Sequence, residues 1–256
     1  MVLGRTVHER GLPGVASPRA LVSTQARFRG DSKTNSSRLN PAPPPSEEAP
    51  APRAGPGRLR RLRRAELPVD TAALARYLVG KVLVRETPEG RMSGRIVETE
   101  AYVVGDAAAH SYRGVTPRNR SLFLEHGHAY VYFIYGNWYS LNVSGEARGT
   151  GGGVLLRALE PLEGVELMRR RRPGGPGHQL ASGPGRLATA LGIDRRCDGL
   201  DLCAPGPVWL AVPAGGAVRA SVGTSARIGV TQEAHRLLRF YERGNPCVSG
   251  PRRLRA

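Results

Sequence analysis

Glu98 and Glu100 stand two residues apart in the stretch Arg95–Tyr102, RIVETEAY, of a 256-residue chain with only 21 acidic residues. Ile96, Val97 and Thr99 are β-branched and Gly94 precedes them, so the stretch reads as a β-strand. Strand side chains alternate between faces. Ile96, Glu98, Glu100 and Tyr102 then share one face, and Val97, Thr99 and Ala101 share the other. The second face suits a packed interior, whereas the first lines up two carboxylates and a phenol. A carboxylate beside a reacting centre acts as a general base or stabilises developing positive charge. Two carboxylates about 6.6 Å apart also approach the spacing of an inverting glycosidase pair. Such a pair must flank the scissile bond from two sides, however, and neighbours on one strand face point the same way. One carboxylate as base and the other as its structural partner suits this spacing better.

Aromatic groups gather just downstream. Six of the eight tyrosines lie between Tyr102 and Tyr139, with Trp138 among them. In AYVYFIYG, Tyr130 and Tyr132 share one strand face with Ile134, and Tyr135 falls at the end of the run. A core strand would hold such residues. In a basic protein they also suit base stacking, and an aromatic at a hairpin tip can wedge into a duplex. The stretch His110–Ser121, HSYRGVTPRNRS, joins a histidine to three arginines within reach of the Glu100 strand. The HGH at 126–128 has no further His, Cys or Asp cluster nearby, so it is not read as a metal site.

Charge narrows the partners. The formal net charge is +17, which points to a polyanion. Residues 1–65 carry 13 bases against 4 acids, and the remainder 25 against 17, so the C-terminal part is basic on its own account. Lys33 and Lys81 are the only lysines, an arginine bias that suits phosphate contacts and that a GC-rich genome also produces. The odd number of cysteines, Cys197, Cys203 and Cys247, argues for a reducing compartment. No apolar run approaches a membrane span.

These groups need elements to position them. VDTAALARYLVG reads as a helix with Asp70 as N-cap and Gly80 as stop. KVLVRE and RIVETEAYV read as strands; AYVYFIYG and WYSLNVS read as a hairpin closed at Gly136–Asn137. GVLLRALE is a strand, EGVELMRRR a helix, and Ser182 is placed to cap a helix over Pro184–Leu191. PVWLAV, ARIGV and LLRFYE read as late strands. The expectation is a single α+β domain with a curved, largely antiparallel β-sheet, a protruding β-hairpin and surrounding helices. Residues 1–60, rich in Pro, Ala and Arg, read as a disordered basic arm; the first 40 also resemble a transit peptide.

In order and spacing, GRIVETEAY, AAHSYRG, TPRNRSLF, YVYFIYGNWYSLNV, GVLLRALEPLEG and SGPGRL resemble the alkyladenine (3-methyladenine) DNA glycosylase family, over residues 68–250 or so. The resemblance implies a glycosylase domain over residues 61–256. It implies a monofunctional enzyme that flips alkylated or deaminated purines out of double-stranded DNA. Such an enzyme hydrolyses the N-glycosidic bond without a cofactor or metal. By position, Glu100 resembles the residue that activates the attacking water, and Arg157 the arginine that helps hold it. Tyr102, His110 and Tyr132 resemble the walls around the flipped base. Asn142 resembles the asparagine that collides with the 2-amino group of guanine, and Tyr135 the residue that fills the vacated stack. A monomer located with DNA is implied: cytoplasmic and nucleoid-associated in a bacterium, nuclear or mitochondrial in a eukaryote.

The residues support this reading independently. Lys33 and Lys81 lie outside the motifs, so attack by water is favoured over a Schiff base. A binding module without chemistry would leave Glu98 and Glu100 unexplained. A carbohydrate hydrolase would leave the basic charge and the arginine-rich loop unexplained.

Overall fold

The computed structural model describes residues 57–134, 136–214 and 221–251. They form β1 (Leu59–Arg61), α1 (Thr71–Leu78), β2 (Val82–Thr87), β3 (Gly90–Tyr102), β4 (Ala129–Ile134) and β5 (Trp138–Ser144). After these come β6 (Gly153–Glu163), α2 (Val165–Arg171), α3 (Pro184–Leu191), β7 (Val208–Pro213), β8 (Val222–Ser225) and β9 (Arg239–Glu242). The strands build one open sheet in the order β1-β7-β2-β3-β6-β5-β4, with β9 beside β3 and β8 beside β9. Each of these pairings is antiparallel. The sheet takes in Leu59 and Arg60, which the sequence assigns to the arm. No helix among the described residues is long and apolar enough to cross a membrane.

Helix α1 starts where the sequence places it. The Asp70 carboxylate accepts from the Ala73 amide at 2.7 Å, satisfying a donor that the first turn leaves orphaned. Leu74, Ala75 and Leu78 are buried, and the Thr99 hydroxyl donates to the Ala75 carbonyl at 2.8 Å, pinning the helix to β3. The positive φ of Gly80, 88°, lets the chain turn straight into β2. The hairpin of β4 and β5 pairs Ile134 with Trp138, and Gly136 takes φ 72° in its turn. Tyr135 lies outside the described residues.

Strand β3 departs from strict alternation. Its register against β6 shifts on both sides of Glu98: Ile96 faces Leu159, Glu98 faces Ala158 and Thr99 faces Leu156. Val97 on β3 and Arg157 on β6 are each left without an opposed residue, so two bulges compensate one another. Ile96 therefore joins the main core with Ala101 and α1. Val97 packs instead in a small cluster with Ala158, Tyr241, Cys247 and Val248. The expectation that Ile96 shares a face with Glu98 and Glu100 is thus corrected, because the bulge moves the parity by one residue.

Two further expectations change. Ser182 does not cap α3; Gly183 does, at φ 119°. Ser182 is held in a bridge opposite Ala158, and the Gly183 amide donates to the Arg157 carbonyl at 2.9 Å. The chain is still extended at Ser182, and the turn that follows requires glycine. ARIGV, Ala226–Val230, is not a strand; β8 ends just before it. The Ile228 amide donates to the Glu100 carboxylate at 2.7 Å, so a side chain takes a donor that a ladder would have used.

Replacing Asp70 with alanine removes the α1 cap and should cost about 1 kcal/mol of stability. Urea denaturation of Asp70→Ala against the parent checks this; an unchanged midpoint would show the cap contributes nothing.

Candidate active site

Glu98, Glu100, Arg157 and Arg239 form a buried ionic cluster on β3, β6 and β9. Arg157 Nη1 lies 3.1 Å from a Glu100 oxygen, and its Nε donates to Glu98 at 3.0 Å. The freed position of Arg157 at the β6 bulge aims one guanidinium at both acids. Glu100 also accepts from the Tyr102 hydroxyl at 3.0 Å and from the Ile228 amide. Burial pushes the Glu100 carboxyl above the ordinary glutamate range; Arg157 and the Ile228 amide pull it back, and Glu98 pushes it further up. Burial works against the Arg157 charge as well, yet the two carboxylates raise its pKa.

Above this cluster opens a cavity of about 410 Å³, lined in part by Tyr102, His110, Tyr132, Asn142, Arg157 and Ile228. Glu100 lies directly behind three of these, bonded to Tyr102, Arg157 and Ile228. The His110 and Tyr132 rings meet edge-on at 4.5 Å, so they belong to one wall; Tyr130 stacks on Tyr132 at 5.2 Å. Tyr102 contributes separately. Its ring has the Arg227 guanidinium over it at 4.7 Å and no aromatic partner among the described residues. Burial and the nearby Glu100 raise its phenol pKa, keeping it a neutral hydrogen-bond donor. Burial and the charge of Arg118 lower the His110 pKa, while burial pushes Tyr130 up to about 12. The His110 Nδ1 and Tyr130 hydroxyl lie 2.9 Å apart, and burial favours the uncharged form of each. Asn142 stands opposite Tyr130 in the hairpin register, and its amide donates to the Tyr130 carbonyl at 3.2 Å.

The structure thus gathers Arg157, Tyr102, His110, Tyr132 and Asn142 around one cavity, with Glu100 buried behind Arg157 and Tyr102. His110 and Tyr102, which ends the Glu100 strand, line that same cavity. Glu98 is different. Both its oxygens are occupied, by Arg157, Arg239 at 2.7 Å and the Ser249 amide at 2.6 Å. Glu100 is equally buried, but its partners Tyr102, Arg157 and Ile228 all line the cavity, whereas Arg239 and Ser249 do not; Glu98 is thus turned away from the cavity, which removes the glycosidase-pair arrangement. Sequence reasoning gave no role to Arg239, Ser249, Ile228 or the buried Arg227–Asp106 pair behind Tyr102. These groups arrive from loops and a short strand far along the chain, with no spacing signal to flag them.

The loop that carries His110 depends on Asn119, which is buried. Its amide nitrogen donates to the His110 carbonyl at 2.7 Å and to the Gly114 carbonyl at 3.0 Å. Its oxygen accepts from the Thr116 amide and hydroxyl at 2.6 and 2.9 Å, so each hydrogen-bonding position of the side chain is used. Around this loop Arg113, Arg118 and Arg120 are exposed and make no ion pair among the described residues. Arg118 lies over the Tyr132 ring at 5.8 Å. Arg186 on α3 is likewise exposed and makes no ion pair among the described residues. Asn119→Asp loses both donors and buries a charge. It should lower stability by about 1–3 kcal/mol for each carbonyl left unpaired. Thermal denaturation checks it; an unchanged midpoint would mean the loop is held elsewhere.

Comparison with known proteins agrees with this geometry. The model of the methylpurine-DNA glycosylase family matches residues 65–246. A relative from Mesorhizobium japonicum, named as a proposed 3-methyladenine DNA glycosylase, is 65% identical over 191 residues, covering 75% of this chain and 91% of the relative. Relatives with the same name from Paraburkholderia phytofirmans and Methanocella arvoryzae are 53% and 47% identical, covering 75% and 70% of this chain and 90% of each relative. A DNA glycosylase must bind DNA that carries a damaged base and hydrolyse an N-glycosyl bond, and a carboxylate–arginine pair behind an aromatic cavity has the parts for that task. The chain belongs to the methylpurine-DNA glycosylase family.

Proposed function

We propose that this enzyme flips 3-methyladenine, 7-methylguanine or hypoxanthine from duplex DNA into the Tyr102–His110–Tyr132 cavity. There it cleaves the glycosidic bond with a water activated by Glu100, leaving an abasic site. The observation that carries this reading is the buried Glu100 carboxylate, bonded to Arg157 and Tyr102, which line that cavity. Leaving-group departure builds positive charge on the sugar. The carboxylate stabilises that charge and accepts a proton from water as it attacks, while Arg157 keeps it oriented. The base stacks between Tyr102 on one side and the His110–Tyr132 wall on the other. Damaged or mispaired bases enter more readily because they cost less to unstack.

The remaining assignments follow from position. Tyr135, at the tip of the hairpin, fills the gap left in the duplex. Asn142 excludes guanine by crowding its 2-amino group. Exposed Arg113, Arg118, Arg120 and Arg186 face the phosphates, and residues 1–60 add basic charge to the same attraction. The enzyme acts as a monomer where DNA is, nucleoid-associated in a bacterial cytoplasm.

Glu100→Gln keeps the size of the side chain and removes the base. On a duplex with one hypoxanthine, hot alkali after incubation reports abasic sites. Single-turnover excision should fall at least about 10²–10⁴-fold with binding retained; full activity would sink the reading. The pH dependence has a definite sign. The working form of Glu100 is ionised and its pKa is raised, so excision of this neutral base is complete above that value and lost as pH falls through it. The acid limb should lie above the ordinary glutamate value of about 4.3. For Asn142→Ser, release of undamaged guanine should rise, because a filter built on a clash disappears with the clash. Unchanged guanine release would place the filter elsewhere.

A further inference from the structure

Glu98 and Arg239 are a fully buried pair that lines no part of the cavity. Burying two charges is costly, and a pair of apolar residues would often serve stability as well. What they contact therefore matters. Glu98 Oε1 accepts from both Arg157 Nε and Arg239 Nε, and its Oε2 accepts from the Ser249 amide. Arg239 is held in turn by the Ser225 hydroxyl at 2.9 Å and the Ser249 carbonyl at 3.1 Å. The Arg157 Nη2 reaches the Ser249 hydroxyl at 3.4 Å. Glu98 thus grips the Nε edge of Arg157 and leaves Nη1 directed at Glu100.

Charge sharpens the point. Were Arg239 absent, Glu98 and Glu100 would share one arginine. With Arg239 present, Glu98 has a cation of its own, and the Arg157 charge is available to Glu100. The groups facing Glu100 are Glu98 and Tyr102 from β3, Arg157 from β6, Arg239 opposite it on β9, and the Ile228 amide; the paired Arg227 and Asp106 lie beyond Tyr102.

We propose that Glu98 and Arg239 are positioning residues for the glycosylase reaction: Glu98 orients Arg157, and Arg239 sets the charge balance around Glu100. This rests on Glu100 being the base. That reading is tested separately, since Glu100→Gln retains activity if it is wrong.

The experiment is the pH profile of single-turnover hypoxanthine excision by the full chain, with duplex binding and thermal melting measured alongside. Glu98→Gln leaves two arginines facing one carboxylate, so the acid limb should move down by about one pH unit. Arg239→Met leaves two carboxylates on one arginine, so the limb should move up by a similar amount. The double variant Glu98→Gln with Arg239→Met restores the balance and should return the limb toward the wild-type position. Plateau rates should fall in both Glu98 variants, where Arg157 is loosened, while binding holds. A merely structural pair would lower melting temperatures and leave every limb in place, and coincident limbs in the folded single variants overturn the proposal. Where one single variant does not fold, the other is read beside Arg239→Lys, which keeps the charge and loses the fork. The charge-removing variant must shift its limb while the Arg239→Lys limb stays with the wild type; an unmoved limb in the first or a displaced one in the second overturns the proposal.

Discussion

A carboxylate buried inside a protein needs compensating charge within hydrogen-bonding reach, and the strands around Glu100 supply it. The means is one guanidinium, Arg157, placed between two buried acids. Its position depends on a bulge in β6, matched by one in β3 so that the sheet regains its register within two residues. An uninterrupted ladder would send Arg157 to a face set by strict alternation. Local disruption is thus the condition for the site, as is common for bulges beside functional centres.

The same need divides the interior. The apolar core lies on the side of β3 that carries α1, where Ile96, Thr99 and Ala101 pack. The other side holds ion pairs: Glu98 with Arg157 and Arg239, Asp106 with Arg227, and Arg95 with Glu160 and Glu242. Only a small apolar cluster accompanies them. Pairs of this kind contribute little net stability, because desolvation offsets most of their attraction. Stability in this protein is therefore drawn mainly from the α1 face.

Much of this was legible in the sequence because it rests on local rules. The Asp70 cap, the hairpin closed at Gly136 and the strand around ETEAY each follow from residues within a few positions of one another. Of the seven residues the motifs named, five line one cavity, Glu100 lies buried behind two of them, and Tyr135 is outside the described residues. The misses share one cause: a long-range contact overrides a local preference. Ser182 has the chemistry of a cap but is held opposite Ala158. Ala226–Val230 has the composition of a strand, yet the Ile228 amide is taken by Glu100 and the Arg227 side chain by Asp106. Nothing in a period-two pattern records a single-residue bulge, so Ile96 was placed on the wrong face. Arg239 and Ser249 reach Glu98 across more than a hundred residues, and no spacing in the chain encodes that distance.

Electrostatics is finally divided by depth. The buried acids and arginines at the site are matched, so the interior presents little net charge. Uncompensated charge is kept at the surface, on Arg113, Arg118, Arg120 and Arg186 among others. Exposed charges act through water and are screened within about 8–10 Å at physiological salt, whereas buried pairs are screened far less. The exposed arginines and the buried ones are thus separate sets, and only the first responds strongly to ionic strength.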